Sequence, residues 1–244
     1  MRRALAQHRP LTTACAIAAA LTASACSDPR SRTLGAFTAE VDDDGARLTL
    51  RHTSGLVLST APALASFAEA TGAYETQYGA FFVTERRTRE LPVVELSGFE
   101  DDTLVLRDAE GEPLGTLTLA EVQGSLQLTL SSERAGVTRA ALSLACDTVA
   151  DGGYLGFGAQ THDVDHRGQL VPIWVTEQGI GKTADDERPA LFPLVGTRHS
   201  SYLPVASLVA PRAQHSFGLR SPTLERSVWD VCKTDPAALR VEAW

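Results

Sequence analysis

The chain has 244 residues, 43% of them hydrophobic and 21% charged, with a formal net charge of −8. That length gives one large domain or two small ones, with enough apolar mass for a core. Scattered basic residues in an acidic chain exclude a nucleic-acid-binding protein.

Residues 1–25 read as an export signal. Met1-Arg2-Arg3 and Arg9 form a basic head, and Leu11 to Leu21 is a short apolar run. The run is too short to span a membrane. Thr22-Ala23-Ser24-Ala25-Cys26 follows, with small residues ahead of a cysteine. This resembles a bacterial lipoprotein box, in which Cys26 becomes the lipidated N-terminus. Ala23 stands where such signals prefer leucine, so simple cleavage after Ala25 is the alternative. The expected location is therefore outside the cytoplasm, as a membrane-anchored lipoprotein of the periplasm or cell surface. Membrane contact is expected through that lipid alone. Loss of three arginines takes the charge from −8 to −11. Residues 26–40 read as a solvated tether and 41–244 as the folded domain.

Past the tether the chain reads as strand after strand. Arg47–Arg51 and Gly55–Ser59 form a plausible hairpin. Pro62 to Gly72 has Leu64, Phe67 and Ala68 at helical spacing, and predicts a short helix or an irregular crossing. Tyr74 to Val83 carries Tyr74, Tyr78, Phe81 and Phe82, an aromatic run better suited to core than to a sugar platform. Leu91–Leu96, Thr103–Arg107, Leu114–Leu119, Leu126–Leu130 and Val137–Leu144 follow as short strands. Turn signals recur about every eight to twelve residues, which argues for a sandwich or barrel. No strand–helix–strand rhythm suggests a parallel sheet. The expected fold class is therefore all-β, an antiparallel β-sandwich.

The densest chemistry lies in Gly153 to Lys182, GYLGFGAQTHDVDHRGQLVPIWVTEQGIGK. With Gly152 it holds seven glycines, so the backbone must turn tightly or approach another surface closely. Asp163 and Asp165, two apart, would share a face on a strand, but nothing raises one pKa selectively as a working pair of acid and base carboxyls requires. Asp165 suits organisation of the Arg167-Gly168 turn through its carboxylate. His162 and His166 imitate a metal pair, yet the segment is not helical, so no metal is expected and both should be packed or solvent-facing. No G-x-S-x-G elbow or cofactor motif is present. Cys146 and Cys232 are either a disulfide or two separate buried thiols.

Four pieces of this stretch occur in a recognisable order: Gly156-Phe157-Gly158-Ala159-Gln160, Asp165-His166-Arg167-Gly168, Pro172-Ile173-Trp174 and Glu177-Gln178-Gly179-Ile180-Gly181-Lys182. They resemble the N-terminal domain of glycoside hydrolase family 31, which includes α-glucosidases and sulfoquinovosidases. Tyr202–Val209 and Ser227–Val231 resemble its later strands. Ala159 stands where the family usually has an acid, so any role of that acid is absent or moved. The resemblance implies a galactose-mutarotase-like supersandwich that packs on a C-terminal (β/α)8 barrel holding both catalytic carboxylates. A barrel of about 250 residues cannot be encoded here, so this chain is expected to carry no catalytic residue. Trp174, Glu177 and Gln178 would face an α-glycoside, the aromatic plane packing on C–H faces and the acid–amide pair binding hydroxyls. The alternatives are a core tryptophan and contacts that merely hold the barrel. Two other functions stay open: a freestanding carbohydrate-binding lipoprotein, and a mutarotase-type epimerase using a histidine such as His199 or His215.

Overall fold

A computed structural model of the chain describes residues 29–77, 80–146, 152–159, 163–173, 203–222 and 226–244, with the backbone alone over 74–84. Among the described residues there is no helix. The described residues form sixteen strands in three sheets, and every pairing among these strands is antiparallel.

The largest sheet has nine strands. Ser31–Leu34 (β1), Phe37–Val41 (β2) and Leu48–His52 (β3) lead into the 21-residue Val57–Gln77 (β4). Ala80–Pro92 (β5) turns back along β4. Val137–Ala145 (β10), Ala238–Ala243 (β16), Ser227–Val231 (β15) and Gln169–Ile173 (β12) complete the sheet in that order. Glu95–Leu96 (β6), Thr103–Arg107 (β7), Pro113–Val122 (β8) and Ser125–Ser131 (β9) form a four-stranded sheet. Leu155–Gly158 (β11), Pro204–Ala210 (β13) and Phe217–Arg220 (β14) form a third, of three strands.

Register shows how the layers stack. Leu142, Val241, Trp229 and Val171 lie directly opposite one another across β10, β16, β15 and β12, so all four occupy one face. Leu142 packs against a core shared with Leu104, Leu117 and Leu119 of the four-stranded sheet. Trp229 and Val171 belong to a second core, with Phe157 and Leu208 of the three-stranded sheet. Both small sheets thus cover the same face of the large one. The result is the antiparallel sandwich that the strand rhythm predicts.

Two expectations need correction. Pro62–Gly72 is neither helix nor irregular crossing: it is the middle of β4. Leu64, Ala65, Phe67 and Ala68 are all buried, because this part of β4 runs between β10 and its other neighbours with both faces covered. Consecutive burial erases the period of two and leaves a pattern that imitates a helix. The fold also begins before residue 41. β1 and β2 occupy residues assigned to the tether, and Ala39 and Val41 enter the first core.

Candidate functional site

The glycine-rich stretch builds its first half around Asp165. The Asp165 carboxylate accepts hydrogen bonds from the backbone N–H of Tyr154 at 2.8 Å and of Arg167 at 3.0 Å. The second bond is the turn that aspartate favours two residues ahead of its partner. The backbone N–H of His166 donates to the Tyr154 carbonyl at 2.9 Å, tying the turn to the strand before it. Residues 163–166 are not a strand, so Asp163 and Asp165 do not share a strand face. Asp165 is held as a structural acceptor.

His166 is packed, with 1% of its surface exposed. Its ring meets Phe157 edge-on at 5.1 Å, and Phe157 meets Trp229 the same way at 5.2 Å. Burial pushes the His166 pKa below 6.5, while a hydrogen bond to the Gly156 carbonyl and the charges of Asp163 and Asp165 oppose the shift. A depressed histidine pKa means that the unfolded chain binds the proton more readily than the folded one. The histidine's contribution to stability is therefore complete above 6.5 and lost as pH falls below it. Denaturant midpoints measured from pH 7.5 to 5 should decline, and His166→Gln should flatten that decline.

Gly153, Gly156 and Gly158 have positive φ, and the neighbouring chain packs against them. An added Cβ at Gly156 would lie 2.5 Å from the Ser207 carbonyl oxygen and 2.8 Å from the Leu208 Cα. Gly156 and Gly158 let β11 lie close against β13, while Gly153 makes room for the Asp165 carboxylate. Phe157 itself has φ +64°, a conformation that turns its ring into the core.

Cys146 and Cys232 are joined in a disulfide, with Cα atoms 6.2 Å apart. It clips the end of β10 to the residue after β15. The Tyr154 hydroxyl lies 3.4 Å from the Cys146 sulfur. The guanidinium groups of Arg167 and Arg212 each sit 5.0 Å from the Tyr154 ring. Sequence reasoning passed over Tyr154 and Arg212. A tyrosine between glycines and an arginine after a proline are ordinary loop residues until the fold brings them together.

A second polar cluster lies on the outer face of the large sheet. Glu85 accepts from Arg139 Nη2 at 2.8 Å and from Trp244 Nε1 at 3.2 Å. Arg139 and Arg226 each stand 4.4 Å from the Trp244 ring. Arg87 joins Glu242, which also accepts from Arg240 at 2.8 Å. The Glu85–Arg139 pair is buried and leaves an uncompensated charge when one partner is removed, so it ties β5 to β10.

The sequence-predicted contacts Trp174, Glu177 and Gln178 lie outside the described residues, as do Cys26, His162 and His199. Among the described residues β12 is the last strand in the order of the large sheet, and it reaches Ile173, the residue before Trp174. His215 sits beside the Gly55 turn.

The architecture is shared with a solved structure. A GH31 family sulfoquinovosidase from E. rectale, in complex with an aza-sugar inhibitor, superposes with a TM-score of 0.60 at 15% identity, over 84% of this chain and 30% of that one. The chain shares the fold of that part of the sulfoquinovosidase. A cycloalternan-degrading enzyme from Trueperella pyogenes also aligns, with a TM-score of 0.36 at 17% identity over 83% of this chain and 31% of that one. A GH31 dextranase from Flavobacterium johnsoniae aligns with a TM-score of 0.34 at 10% identity, over 87% of this chain and 24% of that one. The chain spans less than a third of the length of these structures. No protein-family model matches the sequence, and no curated protein matches it.

Proposed function

We propose that this chain is the N-terminal β domain of an exported, retaining α-glycosidase of family 31. Its role there is to finish the substrate pocket of a barrel that carries the two reacting carboxylates. The carrying observation is the agreement between order and architecture. The G-F-G segment coincides with β11, the D-x-R-G segment with the Asp165 turn, and Pro172 and Ile173 of the P-I-W segment with the last two residues of β12. The E-Q-G-x-G-K loop follows directly in the sequence. In this reading Trp174 stacks on the sugar ring, while Glu177 and Gln178 hydrogen-bond its hydroxyls. In this reading Asp165 is not a reacting group, since backbone N–H groups claim its carboxylate.

Cys26 carries a lipid in this reading and holds the domain outside the cytoplasm. The freestanding carbohydrate-binding lipoprotein is the competing function. An antibody raised against this domain separates them on a denaturing gel of the source cells. A polypeptide about three times as long as this chain supports the glycosidase domain. A band near 26 kDa overturns it in favour of the binding module.

A further inference from the structure

The two ends of the β2–β3 hairpin differ in charge and in their distance from the chain's entry point. The described chain starts at Pro29, whose carbonyl accepts the Phe99 backbone N–H at 2.5 Å. The Arg30 carbonyl accepts the Val41 N–H at 2.8 Å, and Arg30 Nη1 donates to the Asp42 carbonyl at 2.5 Å. The entering strand is therefore pinned between two turns, residues 42–46 and 97–102. Only Ser27 and Asp28 separate Pro29 from Cys26. Three residue steps span at most about 10 Å.

Both turns are acidic. Asp42, Asp43 and Asp44 lie on one and Glu100, Asp101 and Asp102 on the other, against Arg30, Arg32 and Arg47 nearby. Arg32 is engaged by Asp102 at 2.5 Å, and Arg30 lies 4.0 Å from Asp43. The Ala46 N–H, followed by Asp42, holds the Asp44 carboxyl below its ordinary pKa, so this exposed group stays charged.

We infer that the lipid on Cys26 holds this acidic end of the domain, turns 42–46 and 97–102, against the headgroup layer of the bilayer that carries the anchor. The inference rests on the lipoprotein reading above. With so short a link the domain cannot turn its opposite end to the membrane without breaking the Pro29 and Arg30 hydrogen bonds. Contact is imposed by the link and opposed by charge. The acidic turns stand within about a Debye length of the headgroups, roughly 8 Å at physiological ionic strength. An anionic bilayer therefore pushes this end outward at low salt and less at high salt.

The test uses the lipidated full chain in vesicles, with a fluorophore on a single introduced thiol and a quencher on the lipid headgroups. Cys146 and Cys232 are bonded to each other, so Asp43→Cys or Ser54→Cys supplies the reactive thiol. Both positions are exposed, and they lie at opposite ends of the hairpin, separated by roughly 17 Å of strand. In zwitterionic vesicles, quenching at Asp43→Cys should exceed that at Ser54→Cys several-fold. Replacing a third of the lipid by anionic lipid should lower the Asp43→Cys signal, and added salt should restore it. Equal quenching at the two positions, or a signal that ignores salt, overturns the inference. Mass measurement of the N-terminal peptide runs alongside. A peptide without an acyl group overturns the lipoprotein reading and the inference with it, whereas an acylated peptide with equal quenching overturns the orientation alone.

Discussion

Replacing both Cys146 and Cys232 by alanine is expected to lower stability by about 4–5 kcal/mol. The disulfide closes a loop across 86 positions of sequence. Loop-closure entropy for that length, taken from the unfolded chain, gives this magnitude at 25 °C. For a domain of this size the loss corresponds to a fall in Tm on the order of 10 °C. The closed loop contains β11 to β15 and the whole segment that carries Trp174, Glu177 and Gln178. The consequence therefore goes beyond a number. The Tyr154 hydroxyl loses its sulfur neighbour, and the end of β10 loses its link to the end of β15. Thermal unfolding of the double variant under non-reducing conditions, beside the parent, measures the effect. A change under 1 kcal/mol would mean that the sheet alone sets the position of these strand ends.

Gly156→Ala is expected to cost more than about 3 kcal/mol, and Gly168→Ala only about 1–2 kcal/mol. Both glycines have positive φ, so each alanine meets backbone strain of the second size. They differ in space. Nothing lies within 4 Å of a Cβ at Gly168. At Gly156 the obstacles are backbone atoms of Ser207 and Leu208, and Gly156 pairs with Leu208 across β11 and β13. The methyl group can be housed only by parting those strands. Parting them opens the core in which Phe157, Leu208 and Trp229 meet. Denaturant unfolding of the two variants separates strain from overlap, and equal losses would contradict the close approach.

The sheet was legible where one face meets the core and the other meets water. Leu126, Leu128 and Leu130 of β9 alternate with Ser125, Gln127, Thr129 and Ser131, and the reading of that strand was correct to within a residue at each end. β4 was illegible through Pro62–Gly72 for the opposite reason, since burial on both faces leaves no alternation to read. β11 has four residues, two of them glycine, and carries too little side-chain signal to announce a strand. Local chemistry survived better than long-range chemistry. The Asp165 turn joins residues two apart and could be foreseen from residue type. The meeting of Cys146 with Cys232 depends on a ladder in which Ala145 faces Ala238 and Val231 faces Leu239, and no local pattern encodes it. The cluster of Glu85, Arg139 and Trp244 is hidden in the same way, across 159 positions of sequence.

The central proposal is that this polypeptide shapes a sugar site and supplies none of its reacting acids. Incubating the purified 244-residue chain with a nitrophenyl α-glucoside and following nitrophenol release tests it most directly. The account predicts a rate indistinguishable from the protein-free blank at every pH from 4 to 8. Turnover above blank that disappears in Asp163→Ala or Asp165→Ala would contradict it.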